Sequence, residues 1–289
     1  MITVEKAGVS DVTMNKIMNP RYLVAALTLI IAILSCAGHV VAQSDYVAIK
    51  VENAGTITGV VKWAGPVPKI PKLPITKNAD VCDPNAQKTR DLERLLIDSD
   101  GGVANTVVYL KDISQGKAMD LPESRQHMDQ KSCRYVPHIM LVPQGDDLQI
   151  KSDDPILHTV HMFGAADNNI PFPFQGQYIP AKMRRTGVVN LKCNAGHVWM
   201  NAEVLVVRHP YYVVTDEHGF FKLSDVPPGE YDIEAWHEGW RIISDEKVLD
   251  VASQVEVSRP IYSQPVTRAK KVSVKPEQSA TVNFSISEK

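Results

Sequence analysis

Beyond residue 43 the apolar residues of this chain fall in short, β-branched runs that often alternate with polar ones, and that spacing decides the class of fold. Examples are Ile57-Thr58-Gly59-Val60-Val61, Val107-Val108-Tyr109-Leu110, Ile139-Met140-Leu141-Val142, Leu148-Gln149-Ile150, Val204-Leu205-Val206-Val207 and Val282-Asn283-Phe284-Ser285-Ile286. In an extended chain successive side chains point to opposite faces, so alternation of this kind gives one buried and one solvated face. Turn residues punctuate the runs at Pro143-Gln144-Gly145, His218-Gly219 and Pro227-Pro228-Gly229. Short strands at such intervals predict an all-β sandwich or barrel architecture. Asp91 to Leu96 is the one stretch that reads as a helical turn.

The 289 residues leave room for two modest domains. Apolar content of 44%, charged content of 22% and a net charge of −2 are those of an ordinary globular protein and give no reason to expect nucleic acid or an anionic membrane as partner. No phosphate-cradling glycine loop, nucleophile elbow, paired-carboxylate arrangement or His-Glu-x-x-His pattern is present.

The N-terminus carries an address. Tyr22 to Cys36 is almost wholly apolar, follows Lys16 and Arg21, and precedes Val40-Val41-Ala42. That order is a secretory signal peptide over residues 1–42, cut after Ala42, and the apolar run is short for a membrane anchor. A lipid on Cys36 is the less favoured variant, since Leu34 fits a lipobox poorly. The expected location is periplasmic or secreted. In such a compartment Cys82 and Cys133, left over once Cys36 and Cys193 are assigned, are expected to pair, the alternative being two buried free thiols.

Residues 193–200 read Cys-Asn-Ala-Gly-His-Val-Trp-Met, and Leu157-His158-Thr159-Val160-His161 lies upstream. Two imidazoles, a thiolate and a weak axial thioether form the ligand set of a mononuclear type 1 copper centre. His158 and His161 are three apart, so on a regular strand they face opposite ways and one metal uses only one of them. Asn194 or a backbone amide is expected to hydrogen-bond the Cys193 sulfur. Trp236-His237-Glu238-Gly239-Trp240 is read as structural, and His138 and His209 as surface and linker residues.

Residues 128–208 resemble a cupredoxin of the plastocyanin/amicyanin kind. His158-Thr159-Val160-His161 matches the amicyanin His-x-Val-His motif, while Cys193-x3-His197-x2-Met200 is one residue longer than the amicyanin loop. The resemblance implies a Greek-key β-sandwich binding one type 1 copper ion through His158, Cys193, His197 and Met200. It also implies that His197 reaches the surface as the electron exit, amid apolar residues to which Phe163, Pro171, Phe172, Pro173 and Phe174 contribute. Thr215-Asp216-x2-Gly219-x-Phe221 and Pro227-Pro228-Gly229-Glu230-Tyr231 resemble the carboxypeptidase regulatory-like domain, a transthyretin-like β-sandwich. Gly55 to Val61 looks like that family's opening strand, and Ala104 to Leu110 more weakly like a second. The expected organisation is therefore a discontinuous sandwich, 50–115 plus 209–288, with the copper domain 128–208 inserted; three consecutive modules are the alternative.

Together these features describe an exported electron carrier rather than an enzyme. It would serve a transient redox partner such as a c-type cytochrome or a periplasmic oxidoreductase, with no nucleic acid and no membrane span after signal cleavage. The rival reading is a cell-surface β-sandwich binding or structural module in which copper is absent or merely stored. Catalysis at an open copper position is a weaker third.

Overall fold

Strand Gly55–Trp63 buries Gly55, Ile57, Gly59 and Val61 and leaves the intervening residues partly exposed, the period of two expected of a sheet with one face in a core. In the computed structural model, which describes residues 46–121 and 126–288, nearly all regular structure is of this kind. The expected signal peptide over 1–42, its expected cleavage after Ala42 and Cys36 lie outside the described residues. Among those described, the helix is a single turn, Ala79–Cys82.

Two pairs of sheets result. In the first pair, one sheet runs in the order Tyr178–Lys182, Asp147–Ser152, His127–Gln130, Tyr135–Val136. The other runs Asn168–Phe172, His158–Gly164, Gly187–Lys192, Asn201–Val207, Ile139–Pro143. Met128, Leu148, Ile150, Val160, Phe172 and Val204 fill the space between them. In the second pair, one sheet runs Tyr212–Val214, Val107–Leu110, Gly229–His237, Val266–Val274. Opposite it, Gly55–Trp63 pairs antiparallel with Phe220–Val226 and parallel with Ser279–Thr281 and Phe284–Ile286. Strands from before and after residues 128–208 thus share both sheets of this second sandwich. Ile57, Leu110, Phe221, Ile233 and Phe284 form its core.

Asn201–Val207 is buried at every position, and the reason lies in the packing of the two sandwiches. Ala202, Val204 and Val206 enter the first core, whereas Leu205 and Val207, with Ile139 and Leu141, pack against Val107 and Trp236 of the second sandwich. A strand covered on both faces has no need to alternate, which accounts for the unbroken Val204-Leu205-Val206-Val207 run. Each such side chain taken from water stabilises the contact by about 1.5–3 kcal/mol.

The stretch Asp91 to Leu96 is not helical. Leu92 enters the first core and Leu95 the second, and Glu93 between them adopts φ 58°. Residues three apart on a helix share a face, so a helical turn could not send these two leucines to different cores.

Val47–Ala48 pairs parallel with Gln115–Gly116, while an antiparallel ribbon, Ile242–Asp250 with Val255–Tyr262, and a segment that carries the short ladder Leu73–Pro74/Thr89–Arg90 cover the loop at 193–200.

Candidate metal centre

Strand His158–Gly164 turns His158, Val160 and Met162 into the first core, while His161 lies half-buried on the other face beside the Phe163 ring. The alternation therefore selects His158. Gly187–Lys192 is its antiparallel neighbour, with Lys192 opposite His161, so the chain leaves the sheet at Cys193 next to Thr159 and His158. The loop then turns through Gly196, at φ 82°, and Met200 donates its amide to the His197 carbonyl at 2.9 Å before Asn201–Val207 begins.

Three donor atoms converge. His158 Nδ1 lies 3.2 Å from His197 Nδ1, and the Cys193 sulfur lies 4.0 Å from the former and 3.6 Å from the latter. An ion the size of zinc, bonded at about 2.0 Å to nitrogen and 2.3 Å to sulfur in a trigonal plane, separates its ligands by about 3.5 Å (nitrogen to nitrogen) and 3.7 Å (nitrogen to sulfur). The two nitrogen–sulfur spacings straddle the expected value and the nitrogen–nitrogen spacing is about 0.3 Å short of it, so the three groups need move only a few tenths of an ångström to share one metal ion. His158 and His197 are fully buried and Cys193 is 2% exposed. Met200 is buried in the same cluster as Cys193.

Both imidazoles are held from behind. His158 Nε2 bonds Asp154 at 2.9 Å, and His197 Nε2 bonds the Asn78 side-chain oxygen at 3.0 Å. Those partners accept, which places a proton on each Nε2 and turns each Nδ1 towards Cys193 Sγ, where it can ligate a metal once it carries no proton. Asp154 also accepts the amides of Ser132 (2.7 Å) and Cys133 (2.8 Å). Burial opposes its charge, yet His158 and those amides hold its carboxyl below the ordinary range. Burial likewise works against a charged His158, but Asp154 and Cys193 outweigh it and raise the imidazole to about 9. The Cys193 thiol, despite burial, is held well below its usual value by the two histidines. The two histidines thus favour the thiolate at Cys193, the form in which sulfur binds a metal.

Cys82 and Cys133 form a disulfide, 51 residues apart. Their sulfurs lie within 4.8 Å of a His197 nitrogen, and that of Cys133 within the same distance of Asp154 and His158. The bridge thus pins the single-turn helix, and Asn78 just before it, over the metal loop. Lys77 forms an ion pair with Asp250 of the ribbon, and Gly196 lies directly beneath that pair: a Cβ there would come within 2.6 Å of the Asp250 carboxylate and 2.9 Å of Lys77. With φ 82° as well, the position admits only glycine at low cost.

Several expectations are corrected. His197 does not reach the surface, because the segment carrying Asn78 covers it. Of the two donors expected at the Cys193 sulfur, the backbone amide is the one found: Thr159 N–H lies at 3.5 Å, with the Thr159 hydroxyl at 3.9 Å, while the Asn194 side chain is taken by Arg259. Phe172 is a core residue and Phe174 is 72% exposed, so the two do not share one patch. His138 and His209 are buried, not surface residues. His209 packs among Tyr46, Tyr211 and Tyr212. His138 bonds Glu238, and Arg94 joins that pair: it contacts Glu238 at 2.6 Å and Glu203 at 3.5 Å, and donates to the Gly239 carbonyl at 2.7 Å and to Asn201 at 2.6 Å. The 236–240 run is accordingly part of a buried ionic seam between the sandwiches.

Reasoning from sequence passed over Asp154, Asn78, Lys77 and Asp250. Asp154 had a signal, a carboxylate four residues before a histidine. The others had none, since nothing local indicates which distant segment covers a loop.

Comparison with known proteins gives partial likenesses. Residues 208–262 match the family model described as BOS complex subunit NOMO1-like, second beta sandwich domain. No curated protein matches the chain. Among solved structures, a Cu(I) amicyanin mutant is 17% identical over 30% of this chain and 87% of its own, with TM-score 0.26. A purple cupredoxin from Nitrosopumilus maritimus is 18% identical over 28% of this chain and 98% of its own, with TM-score 0.25. A copper-containing nitrite reductase from Thermus scotoductus SA-01 is 15% identical over 32% of this chain and 24% of its own, with TM-score 0.26. The centre is read from its own donor atoms rather than from these likenesses. Among the described residues no helix is long and apolar enough to cross a membrane.

Proposed function

We propose that this protein is an exported mononuclear copper protein that passes single electrons between redox partners outside the cytoplasm. The observation that carries the reading is the convergence of His158 Nδ1, His197 Nδ1 and Cys193 Sγ in a buried site. A bound copper ion would supply the Cu(II)/Cu(I) couple. The chain's own residues supply the rest: Asp154 and Asn78 orient the imidazoles, the Thr159 amide stabilises the thiolate, and the covering segment and ribbon exclude water. Met200 is assigned as the weak fourth ligand. The domain reading that goes with this is a copper domain at 128–208 set into a discontinuous second sandwich. Strand pairing between Gly55–Trp63 and Phe220–Val226, and between Val107–Leu110 and Gly229–His237, supports it.

Loading the purified protein with Cu(II) tests the function. An intense visible thiolate-to-copper band, bleached by ascorbate and restored by oxidant, is the expected result. A second reading, a β-sandwich module that stores copper without passing electrons, is favoured by the complete burial of His197. It predicts copper that binds but cannot be cycled, and a colourless product at full loading defeats the carrier reading.

A further inference from the structure

Both chain neighbours of the ligand cysteine are gripped from the ribbon. Glu246 of Ile242–Asp250 stands directly opposite Arg259 of Val255–Tyr262, and the two form an ion pair at 3.0 Å. Glu246 also pairs at 3.2 Å with Lys192, the residue before Cys193. Arg259 donates at 3.0 Å to the side-chain oxygen of Asn194, the residue after it. The Asn194 carbonyl in turn accepts the Val251 amide at 2.9 Å. The grip is long-range in sequence, reaching 54 residues from Lys192 to Glu246 and 65 from Asn194 to Arg259.

Arg259 is only 6% exposed. An arginine keeps its charge in a folded protein, and a buried charge acts on its surroundings with little screening by salt. Lys192 and Arg259 bring two positive charges against the one negative charge of Glu246, so the cluster presents a net positive charge beside Cys193. The Lys77–Asp250 pair over Gly196 is neutral by the same count, and the Asp154 carboxylate acts from behind His158. Two neutral imidazoles and a thiolate leave a copper centre uncharged as Cu(I) and singly positive as Cu(II). A fixed cation next to the sulfur ligand therefore disfavours Cu(II).

We propose that Arg259 is a positioning residue of the metal centre. Through Asn194 it holds the loop that carries the sulfur ligand, and through its charge it biases bound copper toward Cu(I). Glu246 orients Arg259 and offsets part of that bias. The proposal rests on the copper reading, and its test keeps the two apart.

The midpoint potential of the copper-loaded protein is measured for the wild type, Arg259→Gln, Arg259→Lys and Glu246→Gln. Arg259→Gln is expected to lower the preference for Cu(I) over Cu(II) about tenfold, read as a potential about 59 mV lower. Glu246→Gln removes the opposing charge and should raise the potential, whereas Arg259→Lys keeps the cation and should hold the preference within about threefold of the wild type. Opposite signs in the two glutamine variants are the signature of charge; a merely structural role does not produce them. The grip has its own readout in the metal-free protein: hydrogen exchange at the Val251 amide should quicken about tenfold in Arg259→Gln while the strand Asn201–Val207 keeps its protection. Potentials that move the same way in both glutamine variants, or in neither, overturn the charge role, and unchanged exchange at Val251 overturns the grip. A protein that takes up no copper overturns the parent reading and the bias toward Cu(I) with it, while the exchange measurement still decides the grip.

Discussion

Replacing Asp154 by asparagine separates the roles this carboxylate plays. One oxygen accepts the Ser132 amide at 2.7 Å; the other accepts the Cys133 amide at 2.8 Å and His158 Nε2 at 2.9 Å. Asparagine offers one oxygen and one NH2. In its better orientation the oxygen keeps His158 and Cys133, and the NH2 is left facing the Ser132 N–H. The part-buried Ser132 N–H loses its acceptor and the new NH2 finds none there, costing about 1–3 kcal/mol of folding stability. Metal affinity falls for a different reason, since a carboxylate behind a ligating histidine fixes the ring and raises its basicity. Loss of such a partner weakens binding about 10–100-fold, equivalent to about 1.4–2.7 kcal/mol. The assay is competition against a Cu(I) chelator at pH 9.5, with urea unfolding of the metal-free protein alongside. The alkaline pH matters because His158, raised to about 9, must shed its proton to bind metal, and Asp154 strengthens that competing proton. Below pH 9 the two effects of the substitution oppose each other; above it only the loss of ligand support remains. An affinity within threefold of the wild type at pH 9.5 would refute the assigned role.

Two further outcomes follow from the seam between the sandwiches. Arg94→Ala leaves Glu238 buried with only His138 as partner and should lower unfolding stability in urea by about 3 kcal/mol, near the bottom of the range for breaking a buried ion pair; a loss under about 1 kcal/mol contradicts the account. Burial and the neighbouring charge of Glu238 raise the Glu203 carboxyl to about 8, so between its ordinary 4.5 and that value the folded chain holds a proton the unfolded chain lacks. Stability should accordingly fall as pH rises through this window, by at most about 1.4 kcal/mol per unit, and Glu203→Gln should flatten the fall in urea-unfolding curves at pH 6 and pH 8. An unchanged slope counts against the protonated state assigned to Glu203.

The strands were legible because their burial is periodic. Gly55–Trp63 and Asp147–Ser152 alternate in the structure as they do in sequence. Alternation also said that one metal could use only one of His158 and His161; the resemblance named His158, and the strand turns that residue into the core. What sequence could not supply was long-range cover. Residue 91–96 looked helical because its apolar spacing suits a helix, yet its two leucines serve two cores. His197 looked exposed by resemblance, whereas Asn78, 119 residues earlier, covers it. His138 and Glu238, 100 residues apart, give no sign in the chain that they meet. Local chemistry chose the donors, and tertiary packing decided which of them water and partners can reach.

The central claim is that one metal sits among three named atoms. A crystal structure of the copper-loaded protein, with anomalous scattering recorded at the copper edge, tests it directly. The account predicts a single strong peak within bonding distance of His158 Nδ1, His197 Nδ1 and Cys193 Sγ. A peak at exposed His218 or at half-buried His161, with Cys193 unbound, would contradict it.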